Sequence, residues 1–175
     1  MELLEECPAD ASSLIYLAKA DAFSEAGRCL RTLLVPPTVW EESVEAGIRI
    51  GAPEVSTIRT AADRGFLRRV EVSAEQETLA STIASGHRLG GGESEVLAIG
   101  TEIGSAVVDE GRATKVAAQL GITVVSTLFL PIVGHHRGGL TERQAIAFLR
   151  RLATATGARA DAVYAIETHL KGAQQ

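Results

Sequence analysis

Cysteine, aromatic residues, long apolar runs and excess positive charge are all scarce in this sequence, and each scarcity removes a class of function. Cys7 and Cys29 are the only two cysteines in 175 residues. Two are too few for a disulfide framework or a thiolate zinc site, and they suit a reducing compartment. Aromatics make up 4% of the chain, which argues against gripping single strands by stacking bases on rings. Lys and Arg number 17 against 22 Asp and Glu, a net charge of -5. Bulk attachment to a polyanion is therefore disfavoured, although a nuclease with its negative charges gathered in an active site is not. No apolar run approaches the roughly 20 residues that span a bilayer. The longest, Ile122 to Gly134, is interrupted by Ser126, Thr127 and Pro131. The first residues, Met-Glu-Leu-Leu-Glu-Glu, are acidic where a secretory signal is basic. A cytoplasmic protein with no membrane partner is expected.

What is present reads as a folded chain. Hydrophobic residues are 46% and charged residues 22%, ordinary for a globular domain. The length predicts one domain over residues 1–170 and a frayed tail at 171–175. Helical spacing of small and apolar residues runs from Ser12 to Lys19 and from Ala22 to Leu34. Leu33-Leu34-Val35 before Pro36-Pro37 reads as a strand stopped by prolines. Thr38 can cap a helix from Val39 to about Gly47, and Pro53 to Asp63 is helical up to Gly65. Phe66 to Val72 alternates as a half-exposed strand, and Ser73 caps a helix from Ala74 to Ala84. After the loop Leu89-Gly90-Gly91-Gly92, Glu93 opens a helix to about Thr101. Ala106 to Val108 and Ile122 to Val125 read as strands, separated by a helix from Arg112 to Leu120 that Gly121 closes. An apolar helix from about Thr127 to His135 follows. Two more close the chain, Glu142 to Thr156 under a Thr141 cap, with Ile146, Leu149, Leu152 and Ala153 on one face, and Asp161 to Leu170. Alternating strands and helices predict an α/β fold with a mostly parallel sheet covered on both faces.

Ligands of open parallel sheets bind beyond the carboxyl ends of the strands, and there the sequence places acids. Asp10 precedes the first helix, Glu42 lies one turn into the helix after Pro36-Pro37, Glu93 follows three glycines, and Asp109-Glu110 follows the strand Ala106 to Val108. A single acid at a helix start is accounted for by the helix dipole, worth about 0.3–1 kcal/mol. Four elements aiming carboxylates at one end would repel one another, and a divalent cation removes that cost. Hard oxygen ligands suit Mg²⁺ or Mn²⁺, which activates water and neutralises charge on a scissile phosphate. Gly90-Gly91-Gly92 is neither a dinucleotide fingerprint nor a P-loop, since Glu95 stands where a third glycine belongs and no Gly-Lys-Ser/Thr follows.

The motifs containing these acids form a recognisable series. Asp10-Ala11-Ser12-Ser13-Leu14-Ile15-Tyr16-Leu17 resembles the opening D-x-S-x-L-I-x-L of PIN-domain ribonucleases. Val35-Pro36-Pro37-Thr38-Val39-Trp40-Glu41-Glu42 resembles their V-P-x-x-V-x-x-E segment, and Gly92-Glu93-Ser94-Glu95-Val96-Leu97-Ala98 their G-E-x-E segment. Val107-Val108-Asp109-Glu110-Gly111-Arg112-Ala113 with Val116-Ala117 and Leu120-Gly121-Ile122 resembles the fourth motif. Val125-Ser126-Thr127-Leu128 resembles the G-T-L of the DUF3368-type branch. The resemblance spans Asp10 to Leu170 and implies a PIN-like three-layer α/β/α sandwich with a short, mostly parallel central sheet. It further implies a metal-dependent endoribonuclease in which Asp10, Glu42, Glu93 and Asp109 hold Mg²⁺ or Mn²⁺. Glu95 is the alternate for Glu93, and Glu110 for Asp109. Ser12 is expected to hydrogen-bond near the first carboxylate and fix its orientation, or to serve as a helix cap. VapC-type toxins of this family imply an RNA substrate, a small antitoxin partner and a homodimer. A catalytically degenerate PIN module that binds RNA or a protein without cutting is the alternative.

Leu3-Leu4-Glu5-Glu6-Cys7-Pro8-Ala9 is a poor central strand, because two acids and a proline interrupt it. A short, irregular or altered first strand is therefore expected. The basic residues expected to meet RNA phosphates are Arg112 and Lys115, just after the fourth acid, and Arg137 in a C-terminal patch. His135-His136 beside Arg137 has no third ligand nearby in sequence and reads as a solvated helix end rather than a metal or RNA contact.

Overall fold

The first strand forms despite its sequence, and the reason lies in which way its proline faces. The computed structural model describes residues 5–172; Leu3 and Leu4 fall outside that range. Strand β1 (Glu6–Pro8) pairs in parallel with β2 (Thr32–Val35), which pairs in parallel with β3 (Leu67–Arg69). Thr32 N–H donates to Glu5 O and Ala9 N–H donates to Leu34 O, so the odd-numbered residues of β1 serve β2. Asp10 N–H turns the other way and donates to Val107 O at 3.1 Å. Pro8 faces that same side and has no N–H to give. Contact with β4 (Ser105–Val107) is accordingly reduced to one bridge, Ala9 with Val107, and β4 pairs with β5 (Thr123–Val125) as a separate two-stranded ladder. The spatial order is β3-β2-β1, then β4-β5 across that bridge. Glu5 and Glu6 stay toward solvent, in ion pairs with Arg31 and Arg68, while Cys7 and Ala9 are fully buried.

Helices fill the connections. Between β1 and β2 run α1 (Ala11–Lys19) and the single turn α2 (Phe23–Ala26). The long helix expected over 22–34 breaks there. Its buried Cys29 and Leu30 mimicked a helical stripe, but they belong to turns leading into β2. After β2 come α3 (Pro37–Trp40), a π-helical turn (Glu41–Glu45) and α4 (Ala46–Ile50), continuous in the chain. This helix starts at Pro37, before the expected Thr38 cap. Next are α5 (Glu54–Asp63), then β3, only three residues of the seven expected to be strand, then α6 (Ala74–His87) and α7 (Gly91–Ile103). α7 begins two residues before Glu93, so two of the glycines expected in a loop are already helical. Helix α8 (Gly111–Gln119) connects β4 to β5, and a 3₁₀ turn (Thr127–Phe129) leads into α9 (Leu130–His136). α10 (Glu142–Thr156) and α11 (Ala160–Gly172) complete the described chain, so Lys171 and Gly172 extend the last helix, and 173–175 lie outside the described residues.

Every residue of β4 and Leu33 to Val35 of β2 are buried, as expected for parallel strands covered on both faces. α10 presents Ala145, Phe148, Leu149 and Leu152 to the core, with Ile146 and Ala153 only half-buried at the edge of that face. Phe148, Leu149, Leu152, Leu14 and Leu17 are completely buried. Each contributes about 1.5–3 kcal/mol by burial. This core fixes the strands, and the strands carry their carboxyl ends to one edge.

Candidate metal centre

Asp10 follows β1 immediately and caps α1. Its Oδ1 accepts the Ser13 N–H at 2.8 Å and the Ser13 hydroxyl at 2.6 Å. Its Oδ2 faces the Asp109 N–H at 3.3 Å. The side chain that orients Asp10 is therefore Ser13, not the expected Ser12, which is half-buried and lines the cleft. Asp10 is only 2% exposed. Burial pushes its carboxyl up from 3.8 to about 6, with the Ser13 bonds opposing and the Asp109 charge adding.

Asp109 lies two residues beyond β4 and is gripped from three sides. Its Oδ1 accepts the Ser126 hydroxyl at 2.6 Å and the Thr127 N–H at 2.9 Å. Its Oδ2 accepts the Thr127 hydroxyl and the Ser13 hydroxyl, the latter at 3.0 Å. Ser13 has one proton for two carboxylates, so it either divides that bond or one carboxyl carries a proton of its own. Ser126 and Thr127 lie just beyond β5, the same position relative to a strand that identified the acids. A search restricted to carboxylates passes over them.

Glu42 and Glu93 form the opposite side. Glu42 stands on the π-helical turn, a feature frequent at functional sites. Its carboxylate lies against Gly92 at the start of α7; partial burial raises its pKa, the Gly92 N–H opposes that rise, and Glu93, Glu95 and Glu41 add to it. A Cβ on Gly92 would stand 2.5 Å from Glu42 Oε2, so only glycine admits the carboxylate here. Glu93 Oε2 accepts the Gly90 N–H at 2.9 Å. Glu95 points elsewhere, accepting the Thr38 N–H at 2.9 Å and its hydroxyl at 2.5 Å.

Asp10, Ser12, Glu42, Glu93 and Glu110 line one cleft of about 320 Å³ with Arg88 and Arg112. Arg112 donates to Arg88 O at 3.1 Å, and Arg88 adopts a left-handed backbone at φ 55°. Arg88 carries no sequence signal of its own. Lys115 is exposed one turn further along α8. Arg137 is held at the opposite end of the sheet, donating to Cys29 O just before β2. A roomier cavity of about 750 Å³ near Asp21 and Arg64 lies away from these acids, and its Glu25 is already paired with Arg151.

The donor chemistry, carboxylates with hydroxyls behind them, fits a hard divalent ion. Among the described residues no three His, Cys, Asp or Glu side chains are gathered closely enough to hold one ion, so the cleft is open rather than a closed cage. No described helix is long and apolar enough to cross a membrane.

A family model described as a PIN domain, DUF3368, matches residues 9–168, and the short parallel sheet among helices agrees with that fold. PIN domains are typically nucleases and typically bind Mg²⁺ or Mn²⁺. No curated protein and no solved structure matches the chain. With the model covering nearly all of the sequence, the chain belongs to the DUF3368 family of PIN domains.

Proposed function

We propose that this protein is a metal-dependent endoribonuclease that hydrolyses RNA phosphodiester bonds. The observation that carries this reading is a cleft lined by Asp10, Glu42 and Glu93, with Asp109 set behind Asp10 and joined to it through Ser13. Asp10, Glu42, Glu93 and Asp109 would hold Mg²⁺ or Mn²⁺, with Glu110 at the rim. Such an ion, when bound, activates water and offsets charge on the phosphate.

The chain's own residues do the rest. Ser13, Ser126 and Thr127 hold the Asp10 and Asp109 carboxylates in one orientation, as buried partners of ligands generally do. Arg112 and Arg88 bring positive charge to an otherwise acidic cleft, where a guanidinium can pair with a phosphate. Lys115 extends that charge along α8. Arg137 stays tied to Cys29 O and serves at most a distant stretch of RNA. Asp10, with its raised pKa, keeps a proton below about pH 6 and gives it up above.

By family resemblance the protein acts in the cytoplasm as the homodimeric toxin of a toxin–antitoxin pair, with a small antitoxin as partner. A second reading is a PIN module that binds RNA or a protein without cutting. The open spacing of the acids favours it. One assay separates them: cleavage of single-stranded RNA with Mn²⁺ by the wild type, Asp10→Asn and Asp109→Asn. Cleavage that falls about 1,000-fold in both variants supports the nuclease. Equal cleavage by all three, or none by the wild type, refutes it.

A further inference from the structure

His136 has a partner that only the fold reveals. It is the last residue of α9, and α11 runs past it with His169. The two Nε2 atoms stand 3.3 Å apart, with ring centroids at 5.2 Å and planes inclined by 39°. Both side chains are exposed. Two Zn–N bonds of about 2.0–2.1 Å at the tetrahedral angle separate their nitrogens by about 3.3–3.4 Å. The pair therefore has the spacing of one edge of a tetrahedral site. Without an ion the same contact serves as an N–H···N hydrogen bond when one ring carries its proton on Nε2. Two imidazole lone pairs turned toward each other repel unless a proton or a metal ion lies between them.

The nearby polar side chains are engaged elsewhere. His135 is set aside, its Nδ1 lying 3.1 Å from Leu140 O. Glu167, two residues before His169 and so on another side of α11, is occupied by Arg150 and Lys171. Arg137 is committed to Cys29 O. The geometry points to a transition-metal site in which His136 and His169 bind one imidazole-preferring divalent ion of the Zn²⁺, Ni²⁺ or Cu²⁺ class, with water completing the coordination. The site lies at the far end of α9 from Thr127 and shares no residue with the carboxylate cleft. Its consequence is mechanical. α11 buries only Ile166 and Leu170, and an ion bridging α9 to α11 clamps the helix that is otherwise lightly held.

Calorimetric titration of the untagged full chain with Zn²⁺, in excess Mg²⁺ so that hard carboxylate sites are filled, tests the assignment. One Zn²⁺ per chain is expected, with amide exchange in α11 slowed on binding. His136→Ala and His169→Ala should each weaken binding at least about 10-fold, while His135→Ala and Asp10→Asn leave it unchanged. His136→Gln and His169→Gln keep bulk and hydrogen bonding, so they repeat the test if an alanine variant unfolds. Absence of saturable one-to-one binding to the wild type overturns the proposal. So does binding that survives loss of both histidines, whatever the outcome for RNA cleavage.

Discussion

On one bank, Asp10 lines the cleft with Asp109 behind it, the two locked by Ser13, Ser126 and Thr127 beyond the ends of β1 and β4. On the other, Glu42 is exposed on a π-helical turn and rests against Gly92, and Glu93 folds back on the Gly90 N–H. The first bank is preorganised by buried hydroxyls and backbone donors. The second is held by single backbone bonds and by the space that one glycine leaves. A site built this way needs its rigid half for orientation and its looser half for charge. The two halves should therefore respond differently to mutation.

The largest effect belongs to the rigid bank. Asp109→Asn or Asp10→Asn should lower Mn²⁺-dependent RNA cleavage about 1,000-fold, measured as initial rates on a labelled oligonucleotide. Proton linkage at the same bank comes next. The Asp10 carboxyl is raised from 3.8 to about 6 in the folded protein, so the native state binds the extra proton between those values. The Asp10 contribution to metal-free stability should thus be fully present below about pH 4 and be lost as pH rises through about 6, by up to about 3 kcal/mol. Urea unfolding should show that loss in the wild type, and show it flattened in Asp10→Asn or at saturating Mn²⁺. A slope of the opposite sign would contradict the burial argument.

Ser13→Ala should reduce Mn²⁺ affinity about 30-fold by freeing both carboxylates, within the 10–100-fold range for partners of metal ligands. On the looser bank, Gly92→Ala should cost about 10-fold in Mn²⁺ affinity, because its Cβ displaces the Glu42 carboxylate. Calorimetry compares the two. Equal losses from Ser13→Ala and Gly92→Ala would erase the distinction between the banks. The smallest effect is expected from Glu95→Gln, which weakens the bond to Thr38. Its cost is about 1 kcal/mol of stability, with cleavage unchanged. A large loss of cleavage instead would make Glu95 part of the centre.

Much of this arrangement could be read from the sequence wherever one local rule decides it. Asp10 follows β1 and Asp109 lies just beyond β4, and a place past the end of a parallel strand marks both as candidates. Ser13 was within reach of the same logic. An N-cap side chain accepts from the second or third helical residue, and Ser13 is the third after Asp10. The first strand, short as its sequence implies, shows the opposite case: proline is costly in a ladder only toward the neighbour its nitrogen faces, and the sequence does not say which neighbour that is. The break after α2 was hidden because buried turn residues imitate a helical stripe. Nothing in the spacing marks a π-helical turn at Glu41–Glu45, and the pairing of His136 with His169 depends on how α11 crosses α9.

Anomalous diffraction from crystals soaked in Mn²⁺ tests the central claim most directly. Our account predicts a peak in the cleft within bonding distance of Asp10 and Asp109, with Glu42 or Glu93 turned toward it. A cleft that stays empty at saturating Mn²⁺, or a peak that persists there in the Asp10→Asn and Asp109→Asn double variant, would contradict it.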